Sequence, residues 1–284
     1  MSGKRVFVAG CGFVGLSTAR LFVRSGWDVA GCTHSAESAA ALAGESFSVY
    51  ACDLGDRESV MRLAEHGPFD VVIHCASSGR GGPEQYRRVY FDGAHHLADV
   101  LSPRLLIFTS STSVYAQTSG EWVTEESPAA PVRETGRILR ETEDFVLSRS
   151  GAVARIAGIY GPARSVLLGK FLTGEAVIEG DGSRWINQAH RDDIASALFA
   201  IATHGESGIF NIADDEPISQ RALYERLAKH FQRPLPPTGP VDSTRKRGWT
   251  HKRVSNAKLR ALGWQPRFSS FFHAVEYDAN ALAP

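Results

Sequence analysis

The sequence predicts an α/β protein with a doubly wound parallel sheet and a smaller C-terminal lobe. Short apolar segments rich in β-branched residues alternate with helical patterns through residues 1–160, which is the rhythm of βαβ units. A turn with three glycines follows the first predicted strand, as expected where a strand passes into a helix. The run Leu105-Leu106-Ile107-Phe108 is continuously apolar, which is typical of a parallel strand buried on both faces.

The predicted elements follow in order along the chain. Strands are predicted at residues 5–9, 28–32, 47–51, 71–74, 105–109 and 153–157. Helices are predicted at residues 13–25, 36–43, 57–65, 83–101 and 133–148. From residue 161 the alternation stops, and we expect a helix at 166–172, a hairpin with Gly180-Asp181-Gly182 at its tip, a helix at 191–203 and a loop at 234–239. Residues 1–160 therefore form the predicted sheet domain, to which 185–212 return, and residues 161–184 and 213–284 form the lobe.

The composition argues against several classes of function. The 31 Lys and Arg residues balance 31 Asp and Glu residues, so no net charge draws the chain to nucleic acid or to an anionic membrane. Residues 217–267 are locally basic, with Glu225 and Asp242 as their acids, which suits a solvated surface or an anionic substrate; a nucleic-acid role is the least favoured alternative. No segment reaches the roughly 18 apolar residues of a membrane span, so we expect a cytoplasmic protein. The four cysteines lack CxxC spacing and the histidines are scattered, so no metal site is expected.

The opening turn is the strongest functional signal. A strand runs directly into the pattern G-x-G-x-x-G, formed by Gly10, Gly12 and Gly15, with Phe13 and Val14 starting a helix. The first glycine permits a tight turn, the second lets the backbone approach a diphosphate, and the third lets the helix pack close to the sheet. Free N–H groups at the helix start then attract phosphate. In this strand–turn–helix context the pattern predicts a Rossmann domain that binds NAD or NADP.

The end of the second predicted strand bears on the choice between the two coenzymes. The acidic residue that would hold the ribose hydroxyls of NAD is absent, and the strand ends in Thr33, His34 and Ser35. A carboxylate there would repel a 2′-phosphate, whereas histidine and serine can donate hydrogen bonds to one. The sequence therefore favours NADP over NAD.

Six motifs in one order resemble the extended, atypical short-chain dehydrogenase/reductase family, which includes the NAD-dependent sugar epimerases and dehydratases. In chain order after the glycine turn they are Asp53-Leu54, His74-Cys75-Ala76, the Ser/Thr-rich segment 107–115, the segment 155–162 with its Tyr-Gly-Pro, residues 187–193 and a late Phe210-Asn211-Ile212 strand. The resemblance implies cofactor contacts at Asp53, Leu54, Cys75, Ala76, Ser77 and Ser110. It also implies a small-molecule substrate of the sugar or nucleotide-sugar type, and a homodimer formed through helices 83–101 and 133–148.

The family's catalytic residues are only partly present. Ser111 falls at the catalytic Ser/Thr position, but Thr135 and Leu139 occupy the positions of the Tyr-x-x-x-Lys pair, and Tyr90 replaces a frequent Asn. A threonine hydroxyl is far too weak an acid to replace that tyrosine. Tyr115 is the best candidate for a substitute proton donor, although a purely packing role for its ring is equally compatible with the sequence.

Two functions therefore remain open. The first is an NAD(P)-dependent oxidoreductase or epimerase that uses Ser111 and Tyr115. The second is a cofactor-binding redox sensor or regulatory protein without hydride chemistry.

Overall fold

The central element is a seven-stranded sheet in which every strand is parallel to its neighbours. The computed structural model describes residues 3–79, 81–242 and 249–283. The sheet strands are β1 (Arg5–Ala9), β2 (Asp28–Thr33), β3 (Ser48–Ala51), β4 (Val71–His74), β5 (Leu105–Ser111), β6 (Ala152–Ile156) and β7 (Gly208–Ile212). Their order is β7-β6-β5-β4-β1-β2-β3, with register pairs such as Val6↔Val29 and Val6↔Val71. The strand order reverses at β1, which leaves a crevice at the carboxyl ends of β1 and β4, and the predicted Rossmann fold is confirmed.

The sheet is buried on both faces. Residues Val6, Phe7, Val8 and Ala9 of β1 are fully buried, as are the residues along β6. Helices cover the two faces; the longest are α1 (Phe13–Arg24), α5 (Gly93–Leu101), α6 (Glu134–Ser148) and α8 (Arg191–His204). Helix α8 packs against α1, and β7 extends the sheet beyond β6. The chain therefore returns to the sheet domain after residue 190.

Four further helices lie where helices are predicted, with differences at two places; they are α2 (Ala36–Ala40), α3 (Arg57–Leu63), α4 (Pro83–Tyr86) and α7 (Val166–Thr173). Three more lie in segments for which no helix is predicted, namely α9 (Gln220–Phe231), α10 (Ala257–Ala261) and α11 (Phe271–Leu282). Helix α2 ends three residues before its predicted end because it buries none of its residues, and packing is what sustains a short helix. The predicted helix 83–101 is interrupted by a π-helical segment, Arg87–Asp92. The buried rings of Tyr86 and Tyr90, four residues apart at the start of this segment, pack at a centroid separation of 5.0 Å.

A second hydrophobic core lies in the C-terminal lobe. It contains Tyr160, Phe171, Leu223 and Phe271, which come from segments far apart in the chain. The predicted hairpin around Gly180-Asp181-Gly182 is wrong. Ile178–Glu179 pairs with Thr238–Gly239, which also gives strand to part of the predicted loop 234–239, and Trp185–Ile186 pairs with Ile218–Ser219. The two short strands that flank this turn therefore form their backbone hydrogen bonds with distant segments of the chain and not with each other.

Among the described residues no helix is both long and apolar enough to cross a membrane. In the same part of the chain, no group of three or more His, Cys, Asp or Glu side chains is arranged to hold a metal ion.

Candidate functional site

The three glycines of the opening turn meet different surroundings. Gly10 has a φ of +102°, and a β-carbon there would lie 2.5 Å from Ala76 Cα. A β-carbon on Gly15 would lie 2.0 Å from the Gly10 carbonyl oxygen, whereas one on Gly12 would meet nothing within 4 Å. The helix α1 starts directly after Gly12 without a side-chain cap, so its first N–H groups face the open space. The turn therefore has the shape of a phosphate cradle.

A cleft of about 570 Å³ runs from this turn across the carboxyl ends of the central strands. The predicted site residues on its wall are Gly10, Gly12, Phe13, Val14, Thr33, His34, Cys75, Ala76, Ser77, Ser110 and Ser111. An adjoining cavity of about 290 Å³ shares Gly10, Thr33, His34, Ala76 and Ser77, and adds Asp53 and Leu54. The structure thus brings most of the predicted cofactor residues into one continuous space. Gly15 lies behind the wall, against Gly10.

The end of the cleft beyond β2 carries the residues that bear on coenzyme choice. The His34 side chain is 78% exposed, and its Nδ1 lies 3.9 Å from an Asp53 oxygen. Arg88 forms an ion pair with Asp53, which offsets the charge of that carboxylate. Ser35 does not line the cleft, because its Oγ caps α2 by accepting from the Ser38 N–H at 3.2 Å. Ser38 lines the cleft in its place.

The opposite end of the cleft rests on a buried ion pair. The Arg155 guanidinium donates to Glu143 Oε2 at 2.7 Å, and the two side chains are 2% and 0% exposed. Ser110 Oγ donates to Glu143 Oε1 at 2.5 Å, and Arg140 forms a further ion pair with Glu143. This network fixes the Ser110 hydroxyl in a structural hydrogen bond and so holds the end of β5 in place.

Ser111 is placed differently from Ser110. Its Oγ accepts from the Ser113 N–H at 3.2 Å, at the start of the 3₁₀ turn Thr112–Val114. The side chain lines the cleft, and no acceptor for its hydroxyl hydrogen lies among the described residues. Ser111 therefore has a proton to donate to a bound oxygen atom.

Tyr115 does not reach the cleft. Its side chain is fully buried, with the hydroxyl 2.8 Å from Asn211 Oδ1 and 2.9 Å from the Thr124 carbonyl. The Arg155 guanidinium lies 4.7 Å from the ring centroid, and burial raises the pKa of the phenol above its ordinary value. This geometry is that of a packing residue rather than of a proton donor to the cleft.

Thr135 and Leu139, which occupy the positions of the missing Tyr-x-x-x-Lys pair, line two different cavities. Leu139 lines the cleft. Thr135, one turn earlier on α6, lines a side pocket of about 250 Å³, whose other walls are Ser113, Ala116, Thr118, Pro131, Val132, Arg133, Gly136, Trp249 and Thr250. Ser113 lines this side pocket, and its N–H donates a hydrogen bond to Ser111 Oγ. The side pocket therefore lies beside the Ser111 end of the cleft. No carboxylate is among these lining residues.

Several cleft residues were not predicted from the sequence. Tyr86 and Tyr90 form part of the wall, and the Tyr90 hydroxyl accepts from the Ser78 N–H at 3.4 Å. Arg164 also lines the cleft, with its guanidinium 4.9 Å from the Phe13 ring centroid. Tyr160 and Arg164 share a Tyr-x-x-x-Arg spacing but are not a catalytic pair, since Tyr160 is buried in the core of the lobe. Tyr86 and Tyr90 could have been found from the sequence, because their spacing of four residues places both rings on the same face of a helix.

Comparison with known proteins identifies the group to which this site belongs. The model of the NAD dependent epimerase/dehydratase family matches residues 6–213. Protein YeeZ of Escherichia coli K12 is 30% identical over 241 residues, covering 80% of this chain and 83% of that protein. The dTDP-4-keto-6-deoxy-D-glucose reductase of Streptomyces niveus is 26% identical over 172 residues, covering 56% of this chain and 60% of that protein.

Solved structures agree on the fold. UDP-glucose 4-epimerase of Thermus thermophilus, in complex with NAD, superposes with a TM-score of 0.82 at 20% identity, over 98% of both chains. The family model spans the glycine turn, the cleft and the strand β7, and the chain accordingly belongs to the NAD dependent epimerase/dehydratase family.

Proposed function

We propose that this chain is an NADP-dependent oxidoreductase or epimerase that acts on a sugar or nucleotide-sugar substrate. The observation that carries the proposal is the continuous space from the glycine turn to Ser111, with a side pocket beside its end whose wall carries several hydroxyl groups. The cradle at Gly12, which a β-carbon would fill, fits a diphosphate. Leu54 and Val89 line the adjoining cavity, which fits an adenine.

The preference for NADP rests on charge at the end of β2. The residues there, Thr33 and His34, offer hydrogen bonds and no negative charge. Asp53 stands nearby, but Arg88 is bonded to it and supplies a compensating positive charge. A 2′-phosphate would therefore meet the His34 imidazole and a carboxylate whose charge Arg88 already offsets.

The chemistry that the coenzyme supplies when bound is hydride transfer at its nicotinamide ring. The residues of this chain position the substrate for that transfer. Ser111 donates a hydrogen bond to the reacting carbonyl or hydroxyl oxygen, and the Ser113 N–H holds the serine oxygen in place. Leu139 presents an apolar wall to the coenzyme where relatives of this family carry a lysine.

The side pocket suits a polyhydroxylated, negatively charged substrate. Ser113, Thr118, Thr135 and Thr250 offer hydroxyl groups, and Arg133 offers a guanidinium. Trp249 supplies an aromatic face on which the apolar side of a sugar ring can pack. Relatives whose names specify nucleotide-sugar substrates support the same class.

A second candidate function is a catalytically silent sensor of coenzyme redox state. The observation that favours it is Leu139 on the cleft wall, because leucine cannot supply the positive charge that lowers the pKa of a catalytic tyrosine. Such a protein would bind NADPH and NADP with different affinities and would transfer no hydride.

The test combines binding with turnover. NADPH and NADH are titrated by coenzyme fluorescence. Turnover is then followed as oxidation of NADPH with dTDP-4-keto-6-deoxy-D-glucose, and as conversion of UDP-glucose in the presence of oxidised coenzyme. We expect tighter binding of NADPH, turnover of at least one sugar nucleotide, and loss of turnover in Ser111→Ala with NADPH binding retained. Tight binding with no turnover of either sugar nucleotide would support the sensor, and unchanged rates in Ser111→Ala would remove the role given to Ser111.

A further inference from the structure

The geometry points to Lys252 and Thr250 as the proton relay that replaces the missing Tyr-x-x-x-Lys pair. Lys252 acts as a positioning residue that delivers protons to Thr250, and the Thr250 hydroxyl meets the substrate. The inference rests on the proposed hydride chemistry, because a relay needs a reacting oxygen atom to serve. Neither residue lies within the six motifs that carry the family resemblance.

Lys252 is an unusual buried cation. It is 4% exposed, and its Nζ donates to the Tyr115 carbonyl at 3.0 Å and to Thr250 Oγ1 at 2.8 Å. Across residues 3–79, 81–242 and 249–283 no carboxylate forms an ion pair with Lys252. The two groups that accept hydrogen bonds from its ammonium, a carbonyl and a hydroxyl, are both uncharged. Burying an ammonium without a counter-ion is costly, and proteins commonly keep such groups for function.

Thr250 connects this cation to the side pocket. It lines the pocket together with Thr135, which stands where the family has its catalytic tyrosine. Since Thr250 Oγ1 accepts from the ammonium, its own hydrogen must be donated elsewhere, and the described residues offer no acceptor for it. A substrate oxygen in the pocket would complete the chain of hydrogen bonds.

The relay balances as a proton transfer. When a carbonyl is reduced, its carbon receives hydride from the coenzyme and its oxygen takes the Thr250 hydroxyl proton. In the same step Thr250 takes a proton from the Lys252 ammonium, so that the ammonium is the acid and no threonine alkoxide forms. Lys252 is left as a neutral amine and is reprotonated from water. When a hydroxyl is oxidised, the same three groups move protons in the opposite direction, from the substrate to the neutral amine.

The surroundings of Lys252 lower its pKa towards the pH range in which a proton donor works best. Burial and, to a smaller extent, the charge of Arg184 lower its pKa from 10.5 to about 8, while the charge of Glu121 acts in the opposite direction. His251 and Arg253 flank it in the chain; His251 Nδ1 accepts from the Trp185 N–H at 3.1 Å, and the Arg253 guanidinium donates to the Gly120 carbonyl at 2.9 Å. A general acid is most effective when its pKa lies near the working pH.

The experiment measures pH profiles with dTDP-4-keto-6-deoxy-D-glucose and NADPH, and with UDP-glucose and NADP. In the reducing direction the wild-type rate should fall as the pH rises above about 8, because the ammonium form is consumed. Lys252→Met and Thr250→Val should lower kcat about 100-fold with KM changed far less. Lys252→Arg should lose the alkaline fall because arginine does not titrate there. Thr250→Ser should retain most of the rate, and Lys258→Met, an exposed lysine of the same segment, is the matched control.

A second readout does not depend on turnover. In protein labelled with ¹³C at the lysine ε-carbon, the Lys252 signal is identified by its absence from Lys252→Met or Lys252→Arg, and its pH titration gives the pKa directly. Thr250→Val should move that pKa further down, because the ammonium loses an acceptor, and Thr250→Ser should not.

The outcomes separate this inference from the proposed function. Unchanged kcat and pH profile in Thr250→Val and Lys252→Arg overturn the relay alone, as does a fall in rate explained entirely by lost NADPH binding or lost thermal stability. If Lys252→Met fails to fold, Thr250→Val and Lys252→Arg still test the relay. If the wild type turns over neither sugar nucleotide, the proposed function fails and the relay fails with it.

Discussion

The contrast between Gly12 and Gly15 gives the sharpest prediction. A β-carbon on Gly12 enters open space, whereas one on Gly15 lies 2.0 Å from the Gly10 carbonyl oxygen. The same substitution by alanine should therefore affect different properties at the two positions. Gly12→Ala should impair coenzyme binding in a stable protein, and Gly15→Ala should destabilise the fold.

The magnitudes follow from what each methyl group displaces. Gly12 has a negative φ of −90°, so alanine meets no left-handed backbone strain there, and we expect the free energy of unfolding to change by less than about 0.5 kcal/mol. If the methyl group disrupts two charge-assisted hydrogen bonds to the diphosphate, the loss is about 3 kcal/mol. That corresponds to about a 100-fold weaker Kd. At Gly15, overpacking against the backbone should cost about 1–3 kcal/mol, or about 2–5 °C in Tm.

Calorimetric titration of NADPH and thermal melting of both variants measure these effects. Wild-type affinity in Gly12→Ala would refute the phosphate cradle, and with it the basis of the coenzyme assignment. A wild-type melting temperature in Gly15→Ala would show that the turn relaxes more easily than its close contact suggests.

Three further predictions test the site and the core. Glu143→Gln should lower the free energy of unfolding in urea by about 3–5 kcal/mol, because it leaves the buried Arg155 guanidinium without a counter-charge. The pKa of the fully buried His74 is lowered from 6.5 to about 4, so its contribution to stability is present above pH 6.5 and is lost as the pH falls towards 4. That loss amounts to about 3 kcal/mol, and acid titration of unfolding should show a shallower fall in His74→Gln. Ser35→Asp keeps the helix cap but adds a negative charge beyond β2, so NADPH affinity should fall at least about tenfold with little change for NADH; equal losses for both coenzymes would contradict the NADP assignment.

The fold could be predicted because its signals are local. Apolar runs such as Leu105–Ser111 and the glycine turn each need only neighbouring residues to be recognised, and parallel strands with crossover helices leave few alternatives for their order. The hairpin at Gly180-Asp181-Gly182 failed for the opposite reason. Two glycines permit a tight turn, but the partners of the flanking strands lie more than 30 residues away.

Part of the candidate site could also be predicted from local signals in the sequence. The positions of Gly10, Asp53 and Ser111 follow from where strands end, because the carboxyl ends of parallel strands meet at one edge of the sheet. Homodimer formation, predicted from the resemblance of two helical segments, stays a prediction.

The sequence by itself determined the strand–turn–helix unit at the amino terminus, and hence a cleft shaped for a dinucleotide. Only the tertiary structure decided which polar groups face that cleft. It turned Tyr115 away to Asn211, brought Arg164 over Phe13, and placed Lys252 against a carbonyl 137 residues earlier in the chain. Side-chain direction at the end of a strand depends on packing against distant segments, and residue type and spacing alone do not specify that packing.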